Sequence, residues 1–274
     1  MRLVWLSDLH LDFVKSDADI EAFCDRVAMT GADLVLLGGD TGTAATLERY
    51  LLLLARTLRR PIYFVLGNHD FYGSSISEVR AVVRDLCRRS MSLHWLPESG
   101  LVELEDEIGL VGHDSWADGR LGASSKSRMM LNDYLYIEDF RELFIDARFA
   151  RLAALGDEAA AFFRQLLPDA FTRRRRLVLL THVPPFREAS WHLGRISDDE
   201  ALPHFSCRVV GEVLVETMKA RPDCHLTVLC GHTHSGGVAQ ILPNLIVRTA
   251  AVEYGAPRPQ GAWTLPMLDS DGTL

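Results

Sequence analysis

The segment LCGHTHSGG, residues 229–237, sets His232 and His234 two positions apart, directly after the apolar run LTVLC. One imidazole at the end of a buried strand would be an ordinary structural residue. Two, bracketed by glycines, suggest that a ligand is gripped. The arrangement recurs along the chain. LVWL (3–6) is followed by Ser7, Asp8 and His10, and LVLLG (34–38) by Gly39 and Asp40. IYFVLG (62–67) is followed by Asn68, His69 and Asp70, and LVLL (177–180) by Thr181 and His182. Taken singly, Asp8 reads as a cap or turn residue, Asn68 as a turn residue and His182 as a strand-end histidine. Taken together, five apolar runs that all exit into Asp, Asn or His are not coincidence. Carboxylate, imidazole and amide oxygen suit borderline divalent metals such as manganese, iron or zinc. No cysteine joins them, which disfavours a structural zinc site. The seven candidates are Asp8, His10, Asp40, Asn68, His182, His232 and His234. They are too many for one ion and suit two that share a bridging carboxylate. Two metals about 3.5–4 Å apart are the standard device for in-line displacement at phosphorus.

The elements that must position these residues are legible from periodicity. Helices are expected over 17–29, with Ile20, Phe23, Cys24 and Val27 on one face, and over 44–58, with Leu47, Leu51 and Leu54. A third runs over 75–89 through Val79, Val82, Val83 and Leu86. Alternating with the apolar runs, they form βαβ units around a mostly parallel sheet. In such sheets ligands gather beyond the carboxyl ends of the strands. Close-spaced strands are expected at 93–96, 101–105 and 108–113. A polar stretch over 114–132 has no clean period and reads as a surface excursion. Helix signals return at 137–167, followed by a strand at 176–182, a helix at 206–220 and strands in LTVLCGH, GVAQIL and LIVRTAA. With no linker, low-complexity tract or repeat, a single domain over 1–274 is expected. Of the other histidines, His113 and His192 are the nearest to rim positions. His94 and His225 read as ordinary, and His204 lacks the strand-end setting.

The net charge of −8 argues against a nucleic-acid partner, because a phosphate backbone rewards basic surfaces. The run RRRR (173–176) precedes a buried strand and is expected at the face opposite the strand ends. Five cysteines, an odd number without C-x-x-C spacing, fit a reducing compartment. The N-terminus has no signal-peptide core, and no run has the length of a membrane helix. A cytoplasmic protein is expected.

The blocks SDLH (7–10), GGD (38–40), GNHD (67–70), THVPP (181–185) and GHTH (231–234) resemble, in order, the motifs of the calcineurin-like metallophosphoesterases. The resemblance implies an α/β fold of two facing mixed β-sheets flanked by helices, a four-layer α/β/β/α sandwich. It implies one metal held by Asp8, His10 and His234, a second by Asn68, His182 and His232, and Asp40 shared between them. His69 would be no ligand but would face the substrate, protonating the leaving oxygen or steadying phosphoryl charge. Asp70 would hydrogen-bond His69 and orient it. The implied reaction is hydrolysis of a phosphate monoester or diester in a small phosphorylated substrate, by attack of a metal-bound hydroxide. Two divalent ions are the implied cofactors, manganese being the most suitable in vitro.

Substrate selectivity is expected from 114–136, where a tryptophan and an NDY element support the same subgroup. Arg120, Lys126 and Arg128 are candidate phosphate contacts there. A nuclease of the same fold would need a basic groove that the net charge does not suggest. A non-catalytic scaffold is disfavoured because all seven candidate ligands and His69 are present.

Overall fold

Strands form where alternate apolar residues meet two different cores. The computed structural model describes residues 1–105, 107–124 and 127–265, so Lys126 lies outside the described residues. In chain order the first part comprises β1 (Arg2–Leu6), α1 (Asp17–Met29), β2 (Leu34–Leu37), α2 (Leu47–Leu58), β3 (Ile62–Phe64), α3 (Ile76–Arg89) and β4 (Leu93–Trp95). Then come α4 (Leu96–Ser99), β5 (Val102–Glu103), β6 (Ile108–His113), α5 (Asp133–Tyr136), α6 (Ile145–Arg173) and β7 (Arg176–Thr181). The last part holds β8 (Trp191–His192), β9 (Arg195–Ile196), α7 (Leu202–Phe205), α8 (Arg208–Lys219), β10 (His225–Cys230), β11 (Gly237–Leu242), β12 (Leu245–Thr249) and β13 (Gly261–Thr264).

One sheet has the order β13-β1-β2-β3-β4, parallel except for β13. The other has the order β11-β12-β10-β7-β6-β5, parallel in its centre and antiparallel at both edges. On β1, Leu3 and Trp5 face an inter-sheet core with Leu36, Val178, Leu180, Leu229 and Trp263. Val4 and Leu6 face the other way, toward Phe23, Leu51 and Val83 of the helices. On β7, Leu177 and Leu179 turn to Phe163 and Leu214 of α6 and α8. The strand period of two thus supplies both faces of each sheet and builds the helix–sheet–sheet–helix layers that the family resemblance implies. Each such fully buried side chain contributes about 1.5–3 kcal/mol. Ser16 and Ser75 accept the Asp19 and Glu78 amide hydrogens, and so cap α1 and α3.

Several boundaries differ from expectation. The chain changes sheets between β4 and β5, so the close-spaced strands do not form one meander. The helix expected over 137–167 begins at Ile145 and runs on to Arg173, carrying Pro168 inside it. The hairpin β8–β9 and the edge strand β13 were not expected, being too short to show a period. The stretch from 114 is not a surface excursion at its start. Asp114, Ser115, Trp116, Ala117 and Asp118 are all buried. Asp114 Oδ1 accepts the Leu66 amide (2.8 Å) and the Trp95 indole N–H (2.9 Å), and Asp118 accepts the Val209 amide (3.0 Å). Asp114 and Asp118 enter the interior here because each finds a donor.

The arginine run behaves as its position suggested. Arg173 and Arg174 both bind Glu103, and Arg176 opens β7 while His182 follows its far end. Among the described residues, no helix is long and apolar enough to cross a membrane.

Candidate active site

The parallel strands β1, β2 and β3 end on one edge of their sheet, and β7 and β10 on the facing edge of the other. Their exits are laced together. The Asp8, His10 and Leu11 amides donate to the Gly39, Asp40 and Thr41 carbonyls, and the Gly231 amide to the His182 carbonyl (2.8–3.0 Å). Asp8, His10, Asp40, His232 and His234 all have left-handed backbones, with φ between 43° and 69°. For non-glycine residues this costs about 1 kcal/mol or more each, and it persists only where surrounding contacts over-determine it. Gly231 is required by close approach: a Cβ there would come within 1.9 Å of Asp8 Oδ2.

Two groups of ligand atoms result, with Asp40 between them. In the first, Asp8, His10, Asp40 and His234 each bring one atom, all within 4.8 Å of one another. His10 Nε2 lies 3.1 Å from His234 Nε2 and 3.6 Å from Asp40 Oδ2. In the second, Asn68 Oδ1 lies 3.0 Å from His182 Nε2 and 2.8 Å from His232 Nδ1, and Asp40 Oδ1 lies 3.5 Å from His182 Nε2.

The outer atoms of these groups decide which inner atoms carry lone pairs. His182 Nδ1–H donates to the Gly38 carbonyl (2.8 Å), and His232 Nε2–H to the His204 carbonyl (3.0 Å). Asn68 Nδ2 donates to Asp133 Oδ1 (2.8 Å). His182 Nε2, His232 Nδ1 and Asn68 Oδ1 therefore face one another as the inner atoms of this group, and on neutral rings all three are acceptors. Burial lowers His232 to about 3 and His10 to about 2, which keeps both rings neutral. Burial, then the Asp8 and Asp70 charges, push Asp40 well above the usual carboxylate range. Burial would also raise Asp8, but its bond to His234 and the charge of that ring hold it well below that range. Converging lone pairs among buried carboxylates are a site short of positive charge, and the donor set fits divalent cations.

Residues 1–236 match the family model of the calcineurin-like phosphoesterases. The chain belongs to that family. It is a metal-dependent phosphoesterase, a hydrolase of phosphate esters. Among solved structures, the phosphopantetheinyl hydrolase PptH of Mycobacterium tuberculosis is similar in fold, with a TM-score of 0.68 at 14% identity, covering 98% of this chain and 97% of that one. A dimetal phosphatase from Danio rerio is similar with a TM-score of 0.62 at 11% identity, covering 96% and 91%. Among curated protein sequences none matches.

In this phosphoesterase His69 is half-buried beside the cluster. Its amide donates to Asp40 Oδ1 (2.9 Å), and its ring lies 4.4 Å from the His10 ring and stacks on Tyr72 at 4.4 Å. Burial, and then His182 and His234, lower it to about 4. The expected bond from Asp70 to His69 is not made. The Asp70 carboxylate instead accepts the amides of Gly67 and Thr41 (both 2.8 Å), Asp40 (3.0 Å) and Gly42 (3.1 Å). Four buried amides claim both oxygens, so Asp70 ties the loops after β2 and β3 and positions Asp40, not the His69 ring.

His113 is buried, accepts the Ser115 amide (3.0 Å) and packs on Phe162 and Phe163. His192 Nδ1 bonds the Thr233 carbonyl (3.2 Å) and so braces the loop that carries His232 and His234. Arg120 is held by both oxygens of Asp157 on α6 (2.8 Å each), and Arg128 is exposed with its amide on Glu200.

Asp133 was not foreseen as part of the site. It accepts from Asn68 Nδ2 (2.8 Å) and the Tyr72 hydroxyl (2.6 Å), so it turns the Asn68 oxygen toward His182 and His232. The NDY element was its only trace in the sequence. Asp133→Ala should weaken metal binding about 10–100-fold, as loss of an orienting partner does. It should also lower stability by about 1–3 kcal/mol, because the Tyr72 hydroxyl and Asn68 amide lose their acceptor. Manganese titration and urea unfolding measure the two; unchanged metal affinity would remove Asp133 from the site.

Proposed function

We propose that this phosphoesterase works through a dinuclear centre. One ion would be held by Asp8, His10 and His234 and the other by Asn68, His182 and His232, with one Asp40 oxygen toward each. The observation that carries the proposal is the convergence of His182 Nε2 (3.0 Å) and His232 Nδ1 (2.8 Å) on Asn68 Oδ1 beside Asp40, an arrangement that a divalent cation would satisfy. Manganese, iron and zinc all suit the donors, and manganese is the choice for assay. When bound, such a pair would supply a water activated near neutral pH and positive charge opposite the phosphoryl oxygens.

The chain's own residues do the rest. Asp70 holds the loop of Asp40, and the His69 amide holds Asp40 Oδ1. The His69 ring has no carboxylate partner and is kept neutral by burial, so it acts by donating an N–H to the phosphoryl group as charge develops. Of the segment 114–136, from which selectivity is expected, Ser115, Trp116, Ala117, Asp133 and Tyr134 line a cavity with Asn68, His182 and His232, and Tyr136 meets Tyr72. The substrate is a small phosphate monoester or diester.

Hydrolysis of p-nitrophenyl phosphate, bis-p-nitrophenyl phosphate and single-stranded DNA, each with Mn²⁺ and with chelator, tests this reading. Turnover of a nitrophenyl ester that chelator abolishes is expected. Comparable cleavage of DNA would favour a nuclease, and no turnover of any substrate would favour a scaffold.

A further inference from the structure

Among the described residues four aromatic side chains are exposed: Phe13 (55%), Tyr136 (50%), Tyr254 (47%) and Phe144. Three of the four stand at the mouth of the same site. Tyr254 tilts over His10 with ring centroids 4.5 Å apart, meets His234 at 5.0 Å and packs on Phe13 at 4.8 Å. On the other side of His69, half-buried Tyr72 stacks on its ring at 4.4 Å and meets Tyr136 at 5.5 Å. The four rings come from four separate segments: the loops after β1 and β3, helix α5 and the loop between β12 and β13. Three of the chain's six tyrosines are thus gathered here.

Exposed aromatic rings lose apolar burial unless something covers them. The phosphoryl group of a substrate would sit at the candidate ligands, and its alcohol part would have to leave outward, past this rim. Tyrosine suits a half-wet subsite, since its ring face is apolar and its hydroxyl edge takes water.

We propose that Phe13, Tyr254, Tyr72 and Tyr136 form a subsite for a planar ring in the alcohol part of the substrate, selecting esters of ring-bearing alcohols. This rests on the phosphoesterase reading of the site.

The test compares benzyl, cyclohexylmethyl and ethyl phosphate with the Mn²⁺-loaded protein, three esters whose leaving oxygens have similar basicity. Calorimetric binding of benzylphosphonate and ethylphosphonate runs in parallel. Stacking of one ring is worth on the order of tenfold, so kcat/KM for the benzyl ester should exceed that for the ethyl ester by about this factor. The cyclohexylmethyl ester should lie closer to ethyl, and benzylphosphonate should bind more tightly than ethylphosphonate by a similar factor. In the double variant Phe13→Leu/Tyr254→Leu, which keeps apolar bulk but removes the ring faces, both ratios should fall toward one. A wild-type ratio near one, equal rates for benzyl and cyclohexylmethyl esters, or a preference that survives in the double variant would each overturn the subsite. If no ester is hydrolysed but the phosphonate preference appears and is lost in the variant, the catalytic reading fails and the ring subsite stands. If the esters are hydrolysed without preference, the catalytic reading stands and the ring subsite fails.

Discussion

Asp40→Asn should strip both metal ions from the protein. The wild type, loaded with Mn²⁺ and desalted, should hold close to two ions per chain, and the variant fewer than one. Asp40 Oδ2 lies 3.6 Å from His10 Nε2 and Oδ1 3.5 Å from His182 Nε2, so one carboxylate faces both groups. An amide of the same size offers no negative charge and one oxygen. Stability should change in opposite senses with and without metal. In the metal-free protein, burial raises the Asp40 carboxyl above 3.8, so ionising it costs folded stability as pH rises through that value toward the higher folded one. In chelator at neutral pH the variant should therefore melt above the wild type. In Mn²⁺ it should lose the metal-induced rise in Tm. A wild type that binds one ion or fewer would sink the dinuclear centre. A variant that binds two would remove Asp40 from its middle.

His69→Ala should leave metal content and fold intact and lower kcat by about 10²–10³, the usual effect of deleting one donor aimed at developing charge. His69 touches the cluster through its amide, which alanine keeps, and its ring only flanks His10. Asp70 is committed to four amides, and burial keeps the His69 ring neutral against the charge of Asp8. The loss should accordingly be similar for p-nitrophenyl phosphate and ethyl phosphate, whose leaving groups differ greatly in basicity. A loss confined to the ethyl ester would show that His69 protonates the leaving oxygen. His182→Ala is the contrast, since it should lose metal and rate together whatever the ester. Loss of metal from His69→Ala would make the ring a ligand.

The sequence by itself determined where the candidate ligands would gather. Asp8, His10, Asp40, Asn68, His182, His232 and His234 follow apolar runs, and runs of that kind become parallel strands whose ends share an edge. The order of the five blocks also implied the two facing sheets that the structure contains. Tertiary structure alone decided which polar atoms meet. Asp70 follows His69 directly, yet its oxygens go to amides from two loops, one of them 28 to 30 residues away. Asp133 acts on Asn68 across 65 residues, and Asp114 enters the interior because Leu66 and Trp95 bring it donors. Phe13 and Tyr254 meet only because β13 returns the chain to the edge of β1. Periodicity records the local backbone and which side of it is apolar. A hydrogen bond is won by whichever donor the fold brings within about 3 Å, and that is a property of distances between segments.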